Sequence, residues 1–267
     1  MQLREFHPKK SFGQNFLIQP MIVEKILQYA DLPAGALVVE VGPGFGILTS
    51  ALLARNVKVK AIEKDNHLFA HLQAEFGMQK NLAAAACRDT HRNLELIHAD
   101  ALDVPPPQVP YYWVANIPYS ITSPLLDHFI RKSNNLPQRA VLLVQKEVAE
   151  KICASPPHMN VLALHVQTFG VPKIMKIVSR RNFKPVPKVD SAILKIEFPA
   201  ATHDQATTSV AQKTYFENIH RGFSHKRKML RGVFDVELLK KAGIELTRRA
   251  ETLSIEEWEK LAHFSSL

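Results

Sequence analysis

Residues 36–46 read ALVVEVGPGFG, and this stretch decides the fold. An apolar strand pattern ends at Val41 in a glycine-rich turn, and residues 47–55 continue as an apolar helix pattern. Strand, glycine-rich turn and helix together open a mononucleotide-binding βαβ unit. The next strand pattern, residues 57–63, ends on Glu63, where a carboxylate can accept the ribose hydroxyls of a nucleoside. We therefore expect an α/β fold with a nucleoside site at this turn.

The third glycine of the turn distinguishes between cofactors. In the dinucleotide fingerprint G-x-G-x-x-G/A the third small residue would stand at Ile47, whereas Gly46 comes one place early. A G-x-G-x-G turn with an acid two residues ahead, here Glu40, looks like the class I S-adenosylmethionine-dependent methyltransferases. That cofactor has no pyrophosphate, so close backbone approach at Gly42 and Gly44 matters more than a phosphate cradle. A nicotinamide dehydrogenase is disfavoured.

The rest of the chain alternates between strand and helix patterns up to Pro199. Further strands are predicted at residues 94–100, 111–115, 139–145, 161–169, 173–178 and 192–198, and helices at 20–30, 65–76, 120–130 and 146–153. This alternation predicts a mostly parallel sheet with helices on both faces. Residues 9–19 form a polar loop with apolar neighbours, which would be either a lid over a ligand or a tail packed on the core.

The character of the sequence changes after Pro199. Residues 200–210 are rich in Ala, Thr and Ser and predict a linker, and no strand pattern follows. We therefore expect a Rossmann-like domain over residues 1–200, with an N-terminal segment that covers the cofactor. Residues 201–267 are expected to form a small all-α domain that binds RNA.

Two strand ends carry polar groups suited to an adenine. Asn116-Ile117-Pro118-Tyr119 follows an apolar strand pattern, and Pro118 ends that strand because it cannot donate to a sheet ladder. This tip offers an amide, backbone carbonyls and an aromatic ring, which are the parts needed to hold a flat base with an exocyclic amine. Asp100 ends another strand and can accept from an adenine amine. The alternatives are an ordinary proline turn and a turn aspartate.

The charge of the chain predicts a polyanionic partner. Formal net charge is +9 and the pI is near 9.5. Basic residues cluster with no acid between Glu217 and Asp235: Arg221, Lys226, Arg227, Lys228 and Arg231. A second basic stretch, Arg180, Arg181 and Lys184, surrounds Phe183 on a proline-stiffened loop. Phe183 could stack on a base, or it could anchor the loop in the core.

The remaining composition restricts the setting. The two cysteines, Cys87 and Cys153, lie in no paired motif, so we expect neither a disulfide framework nor a metal site. No apolar run approaches the ~20 residues that cross a bilayer, and residues 1–8 lack an apolar signal core. We expect a cytoplasmic protein without membrane association. Nothing predicts an obligate partner surface, so a monomer is expected.

Four motifs in order carry a resemblance to a known family. Residues 12–17 (FGQNFL), 40–44 (EVGPG), 116–119 (NIPY) and 183–191 (FKPVPKVDS) together resemble the ribosomal RNA adenine dimethyltransferases, in particular the small-subunit (KsgA-type) branch. The likeness covers nearly the whole chain. Two departures are Ile117, which is the form common in the large-subunit resistance branch, and segment 78–92, which is longer than the family needs.

The resemblance implies a reaction and a set of site residues. It implies transfer of methyl groups from S-adenosylmethionine to N6 of two adjacent adenosines in a loop near the 3′ end of small-subunit rRNA, as part of rRNA processing and small-subunit biogenesis. The cofactor would be held by Asn15, Leu17, Gly42, Gly44, Glu63, Asp100 and Asn116. The base would be held by Asn116, Ile117, Pro118, Tyr119 and Phe183, and the RNA by the basic residues named above.

Two alternatives stay open at this point. One is a large-subunit rRNA methyltransferase of the resistance type. The other is a ribosome-assembly or RNA-binding factor with little catalysis, which the intact Asn116-Ile117-Pro118-Tyr119 argues against.

Overall fold

The computed structural model describes residues 14–82, 93–199, 210–225 and 227–265. Its strands are β1 (Phe16–Leu17), β2 (Leu37–Val41), β3 (Lys58–Glu63), β4 (Leu94–His98), β5 (Tyr112–Asn116), β6 (Arg139–Gln145), β7 (Val171–Val178), β8 (Phe183–Lys184) and β9 (Ser191–Glu197). Its α-helices are α1 (Pro20–Ala30), α2 (Ile47–Leu53), α3 (Asn66–Leu82), α4 (Thr122–Leu126), α5 (Lys146–Ile152), α6 (Val161–Gln167), α7 (Val210–Ser224), α8 (Val236–Lys241) and α9 (Ile255–Ser265).

The main sheet has seven strands in the order β4-β3-β2-β5-β6-β9-β7. Strands β2 to β6 pair in parallel, and β9 pairs antiparallel with both β6 and β7. The order of the strands reverses between β2 and β5. Such a switch point opens a crevice at the carboxyl ends of the strands, which is where sheets of this kind bind ligands.

The sheet separates two apolar cores. Along β5, Trp113 and Ala115 belong to one core and Val114 to the other, as the two-residue period of a strand requires. The core beneath Val114 is completed by α1, α2 and α3, and the opposite core by α4, α5 and α6. The mostly parallel sheet with helices on both faces is therefore confirmed.

The C-terminal helices pack on the sheet unit as well as on each other. Trp258 of α9 is fully buried, and a Cβ added to Gly222 of α7 would lie 2.5 Å from its ring. The Tyr215 hydroxyl lies 2.9 Å from the Thr168 hydroxyl at the end of α6. The described residues after 209 are helical, as predicted. The boundary near residue 200 stays a prediction, since residues 200–209 lie outside the described ranges.

The strand predicted over residues 161–169 is wrong. Val161–Gln167 is the helix α6, and its start is fixed by Asn160, whose side-chain oxygen accepts the backbone N–H of Ala163 at 3.0 Å. A continuous apolar run has no period that separates a buried strand from a buried helix, so the capping residue decides.

The single helix predicted over residues 120–130 is helical but irregular. It begins as a 3₁₀ turn at Tyr119–Ile121, continues as α4 and ends in a π-helical turn at Asp127–Arg131. Asp65 caps α3, because its carboxylate accepts the N–H groups of His67 and Leu68.

Candidate active site

A cavity of about 230 Å³ opens at the carboxyl ends of β2, β3, β4 and β5. The predicted site residues that line it are Asn15, Gly42, Gly44, Glu63, Asp100, Asn116, Ile117, Pro118 and Tyr119. The structure therefore brings the glycine-rich turn, the two strand-end acids and the Asn116–Tyr119 tip into one pocket, although they are far apart in sequence.

The turn needs glycine because other parts of the wall approach it closely. Gly42 and Gly44 have φ angles of +68° and +61°, which L side chains rarely adopt. A Cβ on Gly42 would lie 3.2 Å from the Pro118 ring, and one on Gly44 would lie 2.9 Å from the Phe16 ring. The turn is thus in contact with both the Asn116–Tyr119 tip and the N-terminal segment.

Glu63 is held rigidly at the end of β3. Its two carboxylate oxygens accept the backbone N–H groups of Gly44 at 3.2 Å and of Asp65 at 2.8 Å. Burial raises the pKa of Glu63 above the ordinary carboxyl value. Each carboxylate oxygen has a second lone pair, so the group can still accept hydroxyl donors from the cavity.

Glu40 belongs to the frame of the turn and does not line the cavity. It is 1% exposed, and the Thr49 hydroxyl donates to its carboxylate at 2.7 Å. Burial raises the pKa of Glu40 to about 8. The acid ahead of the glycine turn therefore ties β2 to α2.

Asp100 lies two residues beyond β4 and is paired with Lys64. The Lys64 Nζ lies 2.5 Å from one carboxylate oxygen, and the Leu102 N–H donates to the other at 3.0 Å. The hydrogen bond from Lys64 holds the pKa of Asp100 below its usual range, so this carboxylate is ionised at neutral pH. Sequence reasoning gave Lys64 no role in the site, yet its side chain lines the cavity.

Asn116 is fixed by the N-terminal segment. Its side-chain NH₂ donates to the backbone carbonyl of Asn15 at 3.2 Å. Because a carbonyl can only accept, the nitrogen of the amide must face Asn15 and the oxygen must point elsewhere. Ile117 is buried and its N–H donates to the Leu143 carbonyl on β6 at 3.2 Å, which anchors the backbone of the tip.

Tyr119 forms the far wall of the cavity. Its hydroxyl lies 2.6 Å from the hydroxyl of Ser191, the first residue of β9. Burial raises the pKa of the Tyr119 phenol above its ordinary value, so the ring stays neutral. In the sequence, Ser191 belongs to the motif at residues 183–191 and has no predicted role of its own. No local pattern predicts its contact with Tyr119.

Two predicted residues lie behind the wall of the cavity. Leu17 and Phe183 are opposite each other in the antiparallel pair β1–β8, and both are packed in the core formed by α1 and α2. Phe183 is 1% exposed, so its ring acts here as the anchor of its loop and has no free face for a base. Phe16 lines the cavity in place of Leu17, because neighbouring strand residues point to opposite faces.

The predicted RNA-binding residues that the structure describes are all exposed: Arg180, Arg181, Lys184, Arg221, Arg227, Lys228 and Arg231. Lys226 lies outside the described residues, as do the Phe12 and Gly13 of the first motif and residues 83–92 of the long segment. The Arg221 guanidinium stacks on the Phe234 ring at 5.0 Å, which fixes it on the helical surface.

The described residues contain no group of three or more His, Cys, Asp or Glu side chains that could hold a metal ion. Within residues 14–82, 93–199, 210–225 and 227–265, no helix has both the length and the apolar composition needed to cross a membrane.

Comparisons with known proteins agree with this geometry. A family model described as ribosomal RNA adenine dimethylase matches residues 5–266. A protein of Dehalococcoides mccartyi named ribosomal RNA small subunit methyltransferase A is 38% identical over 268 residues, which cover 95% of this chain and 87% of that protein. The protein of the same name from Lactococcus lactis is 36% identical over 288 residues, covering 98% and 91%.

Two solved structures share the fold over nearly the whole chain. A dimethyladenosine transferase from Plasmodium falciparum superposes with a TM-score of 0.77 at 26% identity, covering 92% of this chain and 95% of that one. The 23S rRNA methyltransferase ErmE gives a TM-score of 0.72 at 26% identity, covering 95% and 100%. The fold is that of the class I S-adenosylmethionine-dependent methyltransferases, with a helical C-terminal portion. With its glycine turn, strand-end acids and Asn116–Tyr119 tip around one cavity, this chain belongs to the ribosomal RNA adenine dimethylase family.

Proposed function

We propose that this chain transfers methyl groups from S-adenosylmethionine to N6 of two adjacent adenosines in a loop near the 3′ end of small-subunit rRNA. The observation that carries the proposal is the position of Asn116-Ile117-Pro118-Tyr119. These residues line the same cavity as the glycine turn and the two strand-end acids. An amine-holding tip and a nucleoside pocket therefore share one wall.

The residues that line the cavity suit S-adenosylmethionine in their chemistry. Gly42 and Gly44 have no side chains, so the cofactor can approach the backbone closely at these two positions. Glu63 can accept hydrogen bonds from the ribose hydroxyls, and Asp100 can accept one from the adenine amine. The other predicted cofactor residues are Asn15, Leu17 and Asn116. Leu17 lies behind the cavity wall and would act by supporting it. The bound cofactor supplies an electrophilic methyl group on a sulfonium.

Asn116 is proposed to make the adenine amine reactive. The N6 lone pair is delocalised into the ring, so it attacks poorly. The Asn116 oxygen, turned away from Asn15, accepts one N–H, and a backbone carbonyl of the tip accepts the other. In the first transfer these bonds favour a pyramidal nitrogen and stabilise the positive charge that develops on it as the N–methyl bond forms and the sulfonium–methyl bond breaks. The nitrogen then loses one proton to solvent. The one N–H that remains can use one of the two acceptors in the second transfer.

Ile117 supplies the second acceptor in this proposal. The carbonyl of Pro118 already accepts the Ile121 N–H at 3.1 Å, so the carbonyl of Ile117 is the better candidate. Pro118 has no N–H to compete for the base. Tyr119 packs against one face of the adenine ring and so orients N6 for in-line attack on the methyl group. A stacking role for Phe183 on the other face would require its ring to leave the core, and stays a prediction.

The RNA is proposed to bind across the two basic surfaces. Arg180, Arg181 and Lys184 lie on the loop that ends at Ser191, and Arg221, Arg227, Lys228 and Arg231 lie on the helical portion, with Lys226 predicted to join them. The target adenine must leave its stack, which costs least in an unpaired loop. We expect a cytoplasmic monomer that acts in small-subunit biogenesis.

The proposal is tested by transfer of labelled methyl from S-adenosylmethionine to unmethylated small subunits, with large subunits and naked DNA in parallel. The products are digested and the nucleosides identified. We expect N6,N6-dimethyladenosine from small subunits alone. Dimethyladenosine from large-subunit RNA would move the activity to the resistance type, and no transfer with cofactor still bound would indicate an assembly factor.

A further inference from the structure

Ser191 is a fixed point beside the cavity. It is fully buried, and its backbone pairs with Gln145 on β6 and with Val178 on β7. The preceding residue, Asp190, accepts the N–H of Lys146 with its backbone carbonyl at 3.0 Å and the N–H of Arg180 with its carboxylate at 2.9 Å. Sheet pairing on both sides leaves Ser191 little freedom to move.

Tyr119 has no such support of its own. It follows Pro118 in a short 3₁₀ turn, beyond the last sheet pairing of β5. Its ring is half-buried and lines the cavity. The bond of 2.6 Å between the Tyr119 and Ser191 hydroxyls therefore joins an aromatic ring beyond the end of β5 to a residue that is paired with a strand on each side.

The bond is more than packing requires. Burying a hydroxyl costs free energy that its hydrogen bond offsets, whereas an apolar pair of the same shape would fill this space without that cost. A pair of hydroxyls instead fixes direction, because a bonded phenol cannot rotate about its side-chain torsions without breaking the bond. The arrangement suits a ring whose orientation matters.

We propose that Ser191 is a positioning residue, which fixes the plane of the Tyr119 ring against the target adenine. This inference rests on the proposed function. Ser191 does not line the cavity and is not exposed, so it can contact neither the cofactor nor the RNA backbone. Its effect would reach the base only through Tyr119. Its loss should thus slow methyl transfer without weakening either binding step.

The test is a double-mutant cycle of Ser191→Ala and Tyr119→Phe, measured as the single-turnover rate on unmethylated small subunits. Each single variant removes the same bond, so each should slow transfer by about 5- to 10-fold, which is the ~1 kcal/mol typical of one hydrogen bond. The double variant should be as fast as Tyr119→Phe alone. The dissociation constants for S-adenosylmethionine and for the small subunit should stay within twofold of wild type.

A merely structural serine would behave differently in the same cycle. Ser191→Ala would then slow transfer by the same factor with or without the Tyr119 hydroxyl, and that result would overturn the proposal. So would a wild-type rate in either single variant. If Ser191→Ala does not fold, Tyr119→Phe removes the bond from the cavity side, and its rate decides. A wild-type chain that methylates no RNA refutes the proposed function and this inference together, whereas an active wild type with unaffected variants refutes this inference alone.

Discussion

The two halves of the cavity are built in different ways. The proposed cofactor half, defined as Gly42, Gly44, Glu63 and Asp100, is held by bonds at the carboxyl ends of the neighbouring strands β2, β3 and β4, such as that from Gly44 to Glu63 only 19 residues away. The proposed base half, Asn116 to Tyr119, is held by Asn15 and Ser191, which are 101 and 72 residues distant from their partners.

The difference teaches how binding and chemistry can be separated in one cavity. The cofactor half forms wherever the βαβ unit forms. The base half has its final geometry only when the N-terminal segment and the start of β9 have both docked. Substitutions in the base half should therefore change the rate, and those in the cofactor half should change cofactor affinity.

The largest effect is expected from Asn116→Ala. The variant removes the acceptor of the adenine amine, so the single-turnover rate should fall by roughly 10²–10³, as for loss of one stabilising group in other transition states. The dissociation constant for S-adenosylmethionine should change far less. The matched control is Asn66→Ala, which removes an amide that bonds His98 outside the cavity lining. Retained turnover in Asn116→Ala would contradict the mechanism.

Gly44→Ala should act on the other half. Its φ of +61° costs an L residue ~1–2 kcal/mol, and the new methyl group would lie 2.9 Å from the Phe16 ring. Affinity for S-adenosylmethionine should fall at least about tenfold, measured by calorimetry. Gly77→Ala is the control, since a Cβ there meets nothing within 4 Å. Equal affinity in the two variants would show that the turn does not carry the cofactor.

A smaller effect is expected outside both halves. The paired change Arg227→Gln with Lys228→Gln removes two exposed cations of the helical portion. RNA affinity should fall severalfold and the salt slope by about 2, because each phosphate contact contributes about 1. The control pair, Arg55→Gln with Lys58→Gln, lies at the amino-terminal end of β3, whereas the cavity lies at the carboxyl-terminal end. An unchanged salt dependence of RNA affinity in the Arg227→Gln, Lys228→Gln variant would show that these two residues do not contact the RNA.

The smallest effect is the pH dependence of cofactor binding. Burial raises the pKa of Glu63, and only the ionised carboxylate accepts from both ribose hydroxyls without donating. As pH falls through this raised pKa, Glu63 takes up a proton and affinity should decline severalfold. Asp100 contributes little, since Lys64 keeps its pKa low. In Glu63→Gln the profile should be flatter, and an unaltered profile would exclude Glu63 as its origin.

Local sequence was enough to place Gly42, Gly44 and Glu63 at the cavity, since a glycine turn and the last residue of a strand have positions that follow from the pattern alone. Asp100 was expected to end its strand, and it lies at the cavity although β4 ends two residues earlier, at His98. Local sequence could not predict which of Phe16 and Leu17 faces the cavity, because a two-residue strand has no period to read. For the same reason it could not decide whether Phe183 stacks on a base or anchors its loop, and in this structure the ring lies in the core. The bonds from Asn116 to Asn15 and from Tyr119 to Ser191 depend on how distant segments pack, which no local pattern encodes.

The separation of the two halves is tested most directly by a double-mutant cycle of Gly44→Ala and Asn116→Ala. Cofactor dissociation constant and single-turnover rate at saturating cofactor are measured in all four chains. We expect Gly44→Ala to change mainly the dissociation constant, Asn116→Ala to lower the rate far more than the cofactor affinity, and the double variant to combine the two effects unchanged. A rate loss in Gly44→Ala at saturating cofactor, or a tenfold affinity loss in Asn116→Ala, would contradict this separation.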